Sequence, residues 1–345
     1  MAGYREKFIH RTSWLTSLFP MPSLLNISGL KLLIPLYHAV SDEKLIHLNF
    51  LYDVKSIQAF TDELDFILNF YVPVDFVTFF DMVQKREVPT KPIVLLTFDD
   101  GFREVYDVIA PILLRKGIPA ICFLNNDFID NKNLFFRCKA SILINEIESN
   151  IEFIQDKSIR AWFKDRIYKD VEMYKNGLLS ISYSKRHLLD ELAVLIKVNF
   201  DDYLQQHTPY MTKDQVSSLI KKGFHFGAHS ADHPRYSELP LSEQLSRTKA
   251  SIEGICSTFN LAYRSFAFPF SDYGVSQKYF EEINGDNKQV DISFGSAGLV
   301  QDSINNHFQR IPMEISRLNA AEIIKSEYLY FMMKSFVGKG MLIRN

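Results

Sequence analysis

Neither sign of charge dominates this chain. Its 39 Lys and Arg stand against 41 Asp and Glu, a formal net charge of −2 over 345 residues. That balance offers no bulk attraction to nucleic acid or to an anionic lipid surface, and no nucleic-acid partner is expected. Cysteine is scarce as well. Cys122, Cys138 and Cys256 are odd in number and form no CxxC pair, which excludes a disulfide framework. Cys122 lies in the apolar run Ala120-Ile121-Cys122-Phe123-Leu124, so reduced structural thiols are expected. Long unbroken apolar runs are missing too. The stretch from Trp14 to Leu36 is interrupted by Pro20, Pro22, Asn26 and Lys31, and no small-residue cleavage site follows. That argues against a signal peptide and against a membrane span. The expectation is a packed arm over residues 1–30 of a cytoplasmic enzyme. Trp14, Leu15, Leu18 and Phe19 leave peripheral membrane docking as a second possibility. No internal repeat or low-complexity tract is visible.

What is present is an ordered, core-forming composition, 47% apolar and 23% charged. Strands are expected at Lys31 to Tyr37, Ile93 to Phe98, Ala120 to Leu124, Phe224 to Ala228, Ser265 to Phe268 and Ile292 to Phe294. Between the first two, Ile57, Phe60, Leu64, Ile67 and Leu68 recur at helical spacing. Thr212 and Gln215 form a capping-box pattern ahead of Val216 and Leu219, and a further helix begins near Ser242. Alternation of strands and helices indicates an α/β fold, in which catalytic groups gather at the carboxyl ends of the strands. Residues 131–210 differ: they are long, charged and helical in pattern. They read either as an insertion over or beside the barrel mouth or as ordinary barrel helices.

Two motifs follow expected strands. Thr97-Phe98-Asp99-Asp100-Gly101-Phe102 places adjacent carboxylates at a strand end, where alternation sends them in different directions. Gly101 permits a sharp exit, although Asp-Asp-Gly alone is common turn chemistry. His229-Ser230-Ala231-Asp232-His233 sets two imidazoles four residues apart, able to meet one ion if the intervening residues make a helical turn. No Glu accompanies the first histidine, so a base has to come from elsewhere, and Asp99 is available. Two nitrogens, one oxygen and an open position are the usual recipe for catalytic zinc, and also suit cobalt, nickel or iron.

These motifs, in this order, resemble those of the polysaccharide deacetylases, carbohydrate esterase family four. Tyr37-His38-Ala39-Val40 resembles an opening segment of one branch. Ser265-Phe266-Ala267-Phe268-Pro269-Phe270 resembles the third motif, and Asp291-Ile292-Ser293-Phe294 resembles an Asp-containing strand. The resemblance covers about residues 31–130 and 210–315. It implies a distorted (β/α) barrel of about seven strands formed by residues 31–130 and 211–318, with 131–210 as a helical insertion and 319–345 as a helical tail. It also implies that Asp99 is the general base, that Asp100, His229 and His233 hold a divalent metal, and that the Phe270 backbone N–H is an oxyanion donor. The implied partner is a carbohydrate or glycan.

The family pattern breaks at two places. Ala267 stands where an arginine orients the base, leaving Arg264 and Arg310 as replacements. A late histidine that donates the leaving-group proton is also not matched, because His307 lies in the polar run Asn305-Asn306-His307-Phe308-Gln309-Arg310. His38, at the end of the strand next to the Asp99 strand, is the candidate for the acid or for a further supporting contact, the alternative being a buried histidine that holds the N-terminal strand. Three functions remain open: a metal-dependent carbohydrate N-deacetylase, an O-deacylase or related amide hydrolase on the same scaffold, and a degenerate carbohydrate binder. Phe268, Phe270 and Tyr273 are candidates for a sugar-stacking surface.

Overall fold

The computed structural model describes residues 2–150, 152–167, 173–285, 288–315 and 318–344. Residues 151 and 168–172 of the expected insertion, 286–287 and 316–317 of the expected barrel, and 345 of the expected tail lie outside that description. Eight parallel strands form the central sheet. In chain order they are β1 (Pro35–Tyr37), β2 (Leu96–Phe98), β3 (Ala120–Leu124), β4 (His225–Ala228), β5 (Ser265–Ala267), β6 (Ile292–Gly295), β7 (His307–Gln309) and β8 (Ile311–Pro312). Their spatial order is β7-β6-β5-β4-β3-β2-β1-β8. The last two are halves of one strand, interrupted at Arg310: β7 pairs with β6, while β8 pairs with β1. This single segment therefore joins the two sheet edges and closes a distorted (β/α) barrel of seven strands.

Burial on both faces explains why these strands read as near-continuous apolar runs, as in Ala120–Leu124, where all five residues are buried. Two expected strands are split. Leu32–Leu33 and Ile93–Val94 peel away from β1 and β2 to form a small parallel sheet with Val72–Pro73. The segment 307–312 was not legible as a strand, because its polar residues are buried against one another rather than against solvent.

Helices cover the barrel where apolar spacing dictates. Ile57–Leu68 is capped by the Ser56 side chain, which accepts from the Ala59 N–H at 3.1 Å. It buries Phe60, Leu64 and Ile67, each worth about 1.5–3 kcal/mol relative to exposure. Lys213–Lys221 begins with a reciprocal Thr212–Gln215 capping box. Residues 2–28 fold back as an arm: Arg5 forms a buried ion pair with Glu327 of the helix Ala320–Phe336, and Phe8 packs on Tyr330. Trp14 and Leu18 of this arm are exposed. Among the described residues no helix is long and apolar enough to cross a membrane. Cys122, Cys138 and Cys256 are free thiols.

Between β3 and β4 the chain forms the helices Phe136–Ser149, Glu152–Gln155, Lys157–Ile167, Tyr174–Leu179, His187–Leu195 and Phe200–His207. They bury an apolar cluster that includes Leu143, Ile147, Trp162, Phe163, Leu189 and Leu192 and takes in Ala39, Leu48 and Phe102 as well. Phe102 and Tyr210 stack at 5.4 Å where this helical segment meets the barrel.

Candidate active site

The carboxyl ends of β2, β4 and β5 converge on one buried group of side chains. Asp99 and Asp100 follow β2, where positive φ at Asp100 (67°) and Gly101 (70°) turns the chain sharply and leaves both carboxylates beside His229 Nε2, at 3.6 and 3.5 Å. At Gly101 an added Cβ would lie 2.8 Å from Leu124 Cδ2, so the exit is open to glycine for space as well as for φ. His229 follows β4. Its Nδ1 faces the Ala267 carbonyl oxygen at 2.9 Å, which fixes the ring and leaves Nε2 turned inward. His233 Nε2 stands 3.1 Å from Asp100 Oδ1, and His229 Nε2 stands 3.5 Å from the same oxygen.

The expected helical turn between the two histidines does not form. Their rings converge because Ser230 (φ 64°) and His233 (φ 60°) both adopt the left-handed region, which folds five residues into a tight irregular loop. Asn125 ties that loop from inside, donating to the carbonyls of His229 (2.5 Å) and Ser230 (3.2 Å). From outside, Asp232 is held by Tyr183, from the helical segment between β3 and β4, and by Arg247 at 2.8 Å. Such backbone strain persists only where the surroundings over-determine it, as they do here.

The donors of Asp100, His229 and His233 lie within 4.8 Å of one another, all three residues buried. Asp100 Oδ1 and His233 Nδ1 are buried without a well-formed hydrogen bond. An orphaned carboxylate oxygen facing two imidazoles is costly unless a cation completes it, so this donor set fits a divalent metal. Burial, partly offset by Asp99, pushes the His229 imidazole down to about 4, which keeps it neutral as a ligand must be. For Asp100 burial acts upward, but the neighbouring His233, His38 and His229 outweigh it and hold the carboxyl well below its usual range.

Asp99 lies beside the same group, its Oδ2 3.6 Å from His229 Nε2, but it is held by a different partner. Arg310 grips it with two parallel hydrogen bonds, Nη1 to Oδ1 and Nη2 to Oδ2, each 2.7 Å. Arg310 is fully buried at the strand break, and its Nε donates to the Gly295 carbonyl at 3.0 Å. Burial raises the Asp99 carboxyl, yet Arg310 and His229 more than compensate and lower it. The other arginine considered, Arg264, lies at the opposite end of β5. It is on the surface, paired with Asp291 at 3.0 Å, because a residue preceding a strand sits at the barrel's amino end. Asp291 is removed from the site for the same reason.

His38 ends β1 beside this group and pairs through Nδ1 with Glu314. The Glu314 carboxylate also accepts from the backbone N–H groups of His38 (2.9 Å) and Ala39 (3.2 Å). Burial acts to lower the His38 imidazole, but Glu314, with help from Asp100 and Asp99, raises it to about 9. Tyr52 stacks on His38 at 3.9 Å and donates its hydroxyl to Asp100 Oδ2 at 3.1 Å. Phe135 and Phe270 pack on His233, at 4.2 and 4.6 Å. Of the aromatic residues considered for sugar stacking, Phe268 is buried core among Tyr236, Tyr279 and Phe280, whereas Tyr273 is exposed.

Sequence reasoning missed Tyr52, Glu314 and the Phe135 wall. None of these sits in a motif; the one available signal was the proximity in sequence of Glu314 to Arg310. His307, despite its polar neighbours in sequence, is buried and contacts Ser293 Oγ (2.8 Å) and Asp272 Oδ2 (3.0 Å) rather than the Asp99–Asp100 group.

A parallel α/β barrel with two histidines and one aspartate at its carboxyl end, and a second aspartate held by arginine, defines a class of hydrolase-like centres. The sequence profile described as "Polysaccharide deacetylase" matches residues 86–283, more than half of the chain, and the chain belongs to that family. No curated protein matches it. Among solved structures, it is similar to the Streptococcus pyogenes deacetylase PplD in complex with acetate, with 13% identity and a TM-score of 0.55 over 86% of this chain and 98% of that one. It is also similar to IcaB from Ammonifex degensii, with 14% identity and a TM-score of 0.51 over 86% of this chain and 97% of that one. At these identities the likeness is one of fold.

Proposed function

We propose that the chain is a divalent-metal-dependent hydrolase that removes N-acetyl groups from a carbohydrate or glycan. The observation that carries this reading is the bidentate Arg310–Asp99 pair beside the orphaned Asp100 oxygen and its two histidines. Asp100, His229 and His233 would hold a divalent cation, zinc by the chemistry of the donors, which would supply Lewis acidity at the acyl oxygen and the attacking water. Asp99, kept ionised by Arg310, accepts the proton of that water. The Phe270 N–H donates to the oxygen on which negative charge develops. His38, kept protonated by Glu314, donates to the departing nitrogen.

The His38–Glu314 pair favours N- over O-deacylation, because an amine leaves only with a proton whereas an alcohol needs less help. The test is acetate release from N-acetylated and O-acetylated oligosaccharides, with and without chelator, alongside Asp99→Asn. Chelator-sensitive release from the N-acetylated substrate alone is expected. Release only from O-acetylated sugars would move the assignment to an O-deacylase. No release from either, despite a full complement of metal, would leave a carbohydrate binder.

A further inference from the structure

Outside the active site, Asp272, Asp302 and His307 form a second buried group whose donors lie within 4.8 Å of one another. A cation is already there. Arg344, on the segment following the strand Met341–Leu342, places Nη2 against Asp272 Oδ2, 2.6 Å from Asp302 Oδ2 and 3.2 Å from His307 Nε2. Parallel pairing of Met341–Leu342 with Gln301–Asp302 delivers it there. Its Nη1 donates to the backbone carbonyl of Asp272 at 2.8 Å, so the guanidinium holds main chain as well as carboxylate.

Asp272 lies two residues after Phe270, in the loop leaving β5. Phe270 (φ 57°) is the centre of a γ-turn closed by the Ser271 N–H on the Pro269 carbonyl at 2.6 Å. Positive φ at the centre of a γ-turn is a strained arrangement for a bulky side chain. The Phe270 ring packs on His233 and Phe135, and two polar restraints hold the main chain. Ser296 Oγ donates to the Phe270 carbonyl at 2.8 Å, and Asp272 is anchored by Arg344, His307 and Gln309. Among the described residues the Phe270 N–H has no backbone acceptor.

We propose that Arg344 is a positioning residue, the internal cation of the Asp272–Asp302–His307 group, which fixes the γ-turn that presents the Phe270 N–H to the reacting acyl group. The proposal rests on the reading of that N–H as an oxyanion donor. Without Arg344, Asp272 and Asp302 are buried like charges sharing the Gln309 amide, at 2.6 and 3.0 Å. Their repulsion loosens the loop while leaving Asp99, Asp100, His229 and His233 on their own strands.

The test uses the full-length protein carrying Arg344→Ala or Arg344→Lys, with Asp99→Asn alongside. The readouts are kcat, KM, bound metal, melting temperature and hydrogen exchange over residues 269–274. Arg344→Ala is expected to lower kcat by about 10- to 100-fold, as small misplacements of catalytic groups do, with KM and metal content near those of the unaltered protein. Exchange over 269–274 rises, and added guanidinium restores part of kcat. Arg344→Lys, which keeps charge but loses the two-sided bridge, falls between. Unchanged kcat, or loss of kcat in step with loss of metal and without response to guanidinium, overturns the proposal. If the unaltered protein releases no more acetate than Asp99→Asn, the deacetylase reading fails separately. Exchange over 269–274 then still decides whether Arg344 holds the loop, and unchanged protection there rejects it.

Discussion

Arg310 and Asp99, 211 residues apart in sequence, meet through two parallel 2.7 Å hydrogen bonds in the closed interior of the barrel. Neither is accessible to water in useful measure, so each depends on the other for compensation of its charge. Removing the arginine strands a buried carboxylate, at a cost of about 3–5 kcal/mol.

Arg310→Ala should therefore lower the melting temperature and move the acid limb of kcat/KM to higher pH. The sign follows from the lowered Asp99 carboxyl: its stabilisation is present above the unfolded-state value and lost as pH falls through the folded one. Without Arg310 that folded value climbs. Arg310→Lys should not restore the profile, since an ammonium cannot make the two-pronged contact. A pH–rate profile unchanged in either variant would refute the role given to Arg310.

The His38–Glu314 pair predicts the opposite limb. His38 is raised to about 9, so its contribution to stability is complete below the unfolded value near 6.5 and is lost as pH rises through about 9. N-deacetylation should fall over the same upper range. Glu314→Gln should bring the alkaline limb down towards neutrality, and His38→Asn should abolish it along with most of the rate. An alkaline limb that ignores both substitutions would assign the proton donor elsewhere.

Metal binding is checked by titration calorimetry. His229→Ala and His233→Ala should each abolish stoichiometric binding of zinc while leaving far-ultraviolet dichroism intact, because the barrel strands do not depend on those rings. Added zinc should raise the melting temperature of the unaltered protein and not of either variant. Equal stabilisation of all three proteins would place the ion at another site.

Tyr52→Phe tests a contact rather than a ligand. Its hydroxyl orients the Asp100 carboxylate at 3.1 Å, and loss of such supporting bonds typically weakens metal affinity about 10- to 100-fold. Competition with a chromogenic chelator measures it. Undiminished affinity would reduce Tyr52 to a packing partner of His38.

What the sequence made legible was local. The Asp99-Asp100-Gly101 exit, the His229/His233 spacing and the Thr212–Gln215 capping box each depend on residues a few positions apart, and each is visible as a string. What stayed hidden depends on closure. Arg264 and Arg310 were indistinguishable by context, because only the strand break at the seam turns one inward and leaves the other at the amino end of β5. Polar residues around His307 suggested solvent, yet Ser293, Asp272, Gln309 and Arg344 satisfy one another in the interior. The irregular loop at 229–233 stayed hidden for a related reason: its positive φ values are imposed by contacts from Asn125, Tyr183 and Arg247, which lie elsewhere in the chain.

The interrupted strand at Arg310 also fixes when the site can exist. During synthesis the aspartates and both histidines emerge well before residue 310, and β1 waits for β8 across nearly the whole chain. Until that segment docks, Asp99 lacks its arginine partner and the barrel has two raw edges open to mispairing. Formation of the Arg310–Asp99 pair is thus tied to the most non-local strand pairing of the barrel.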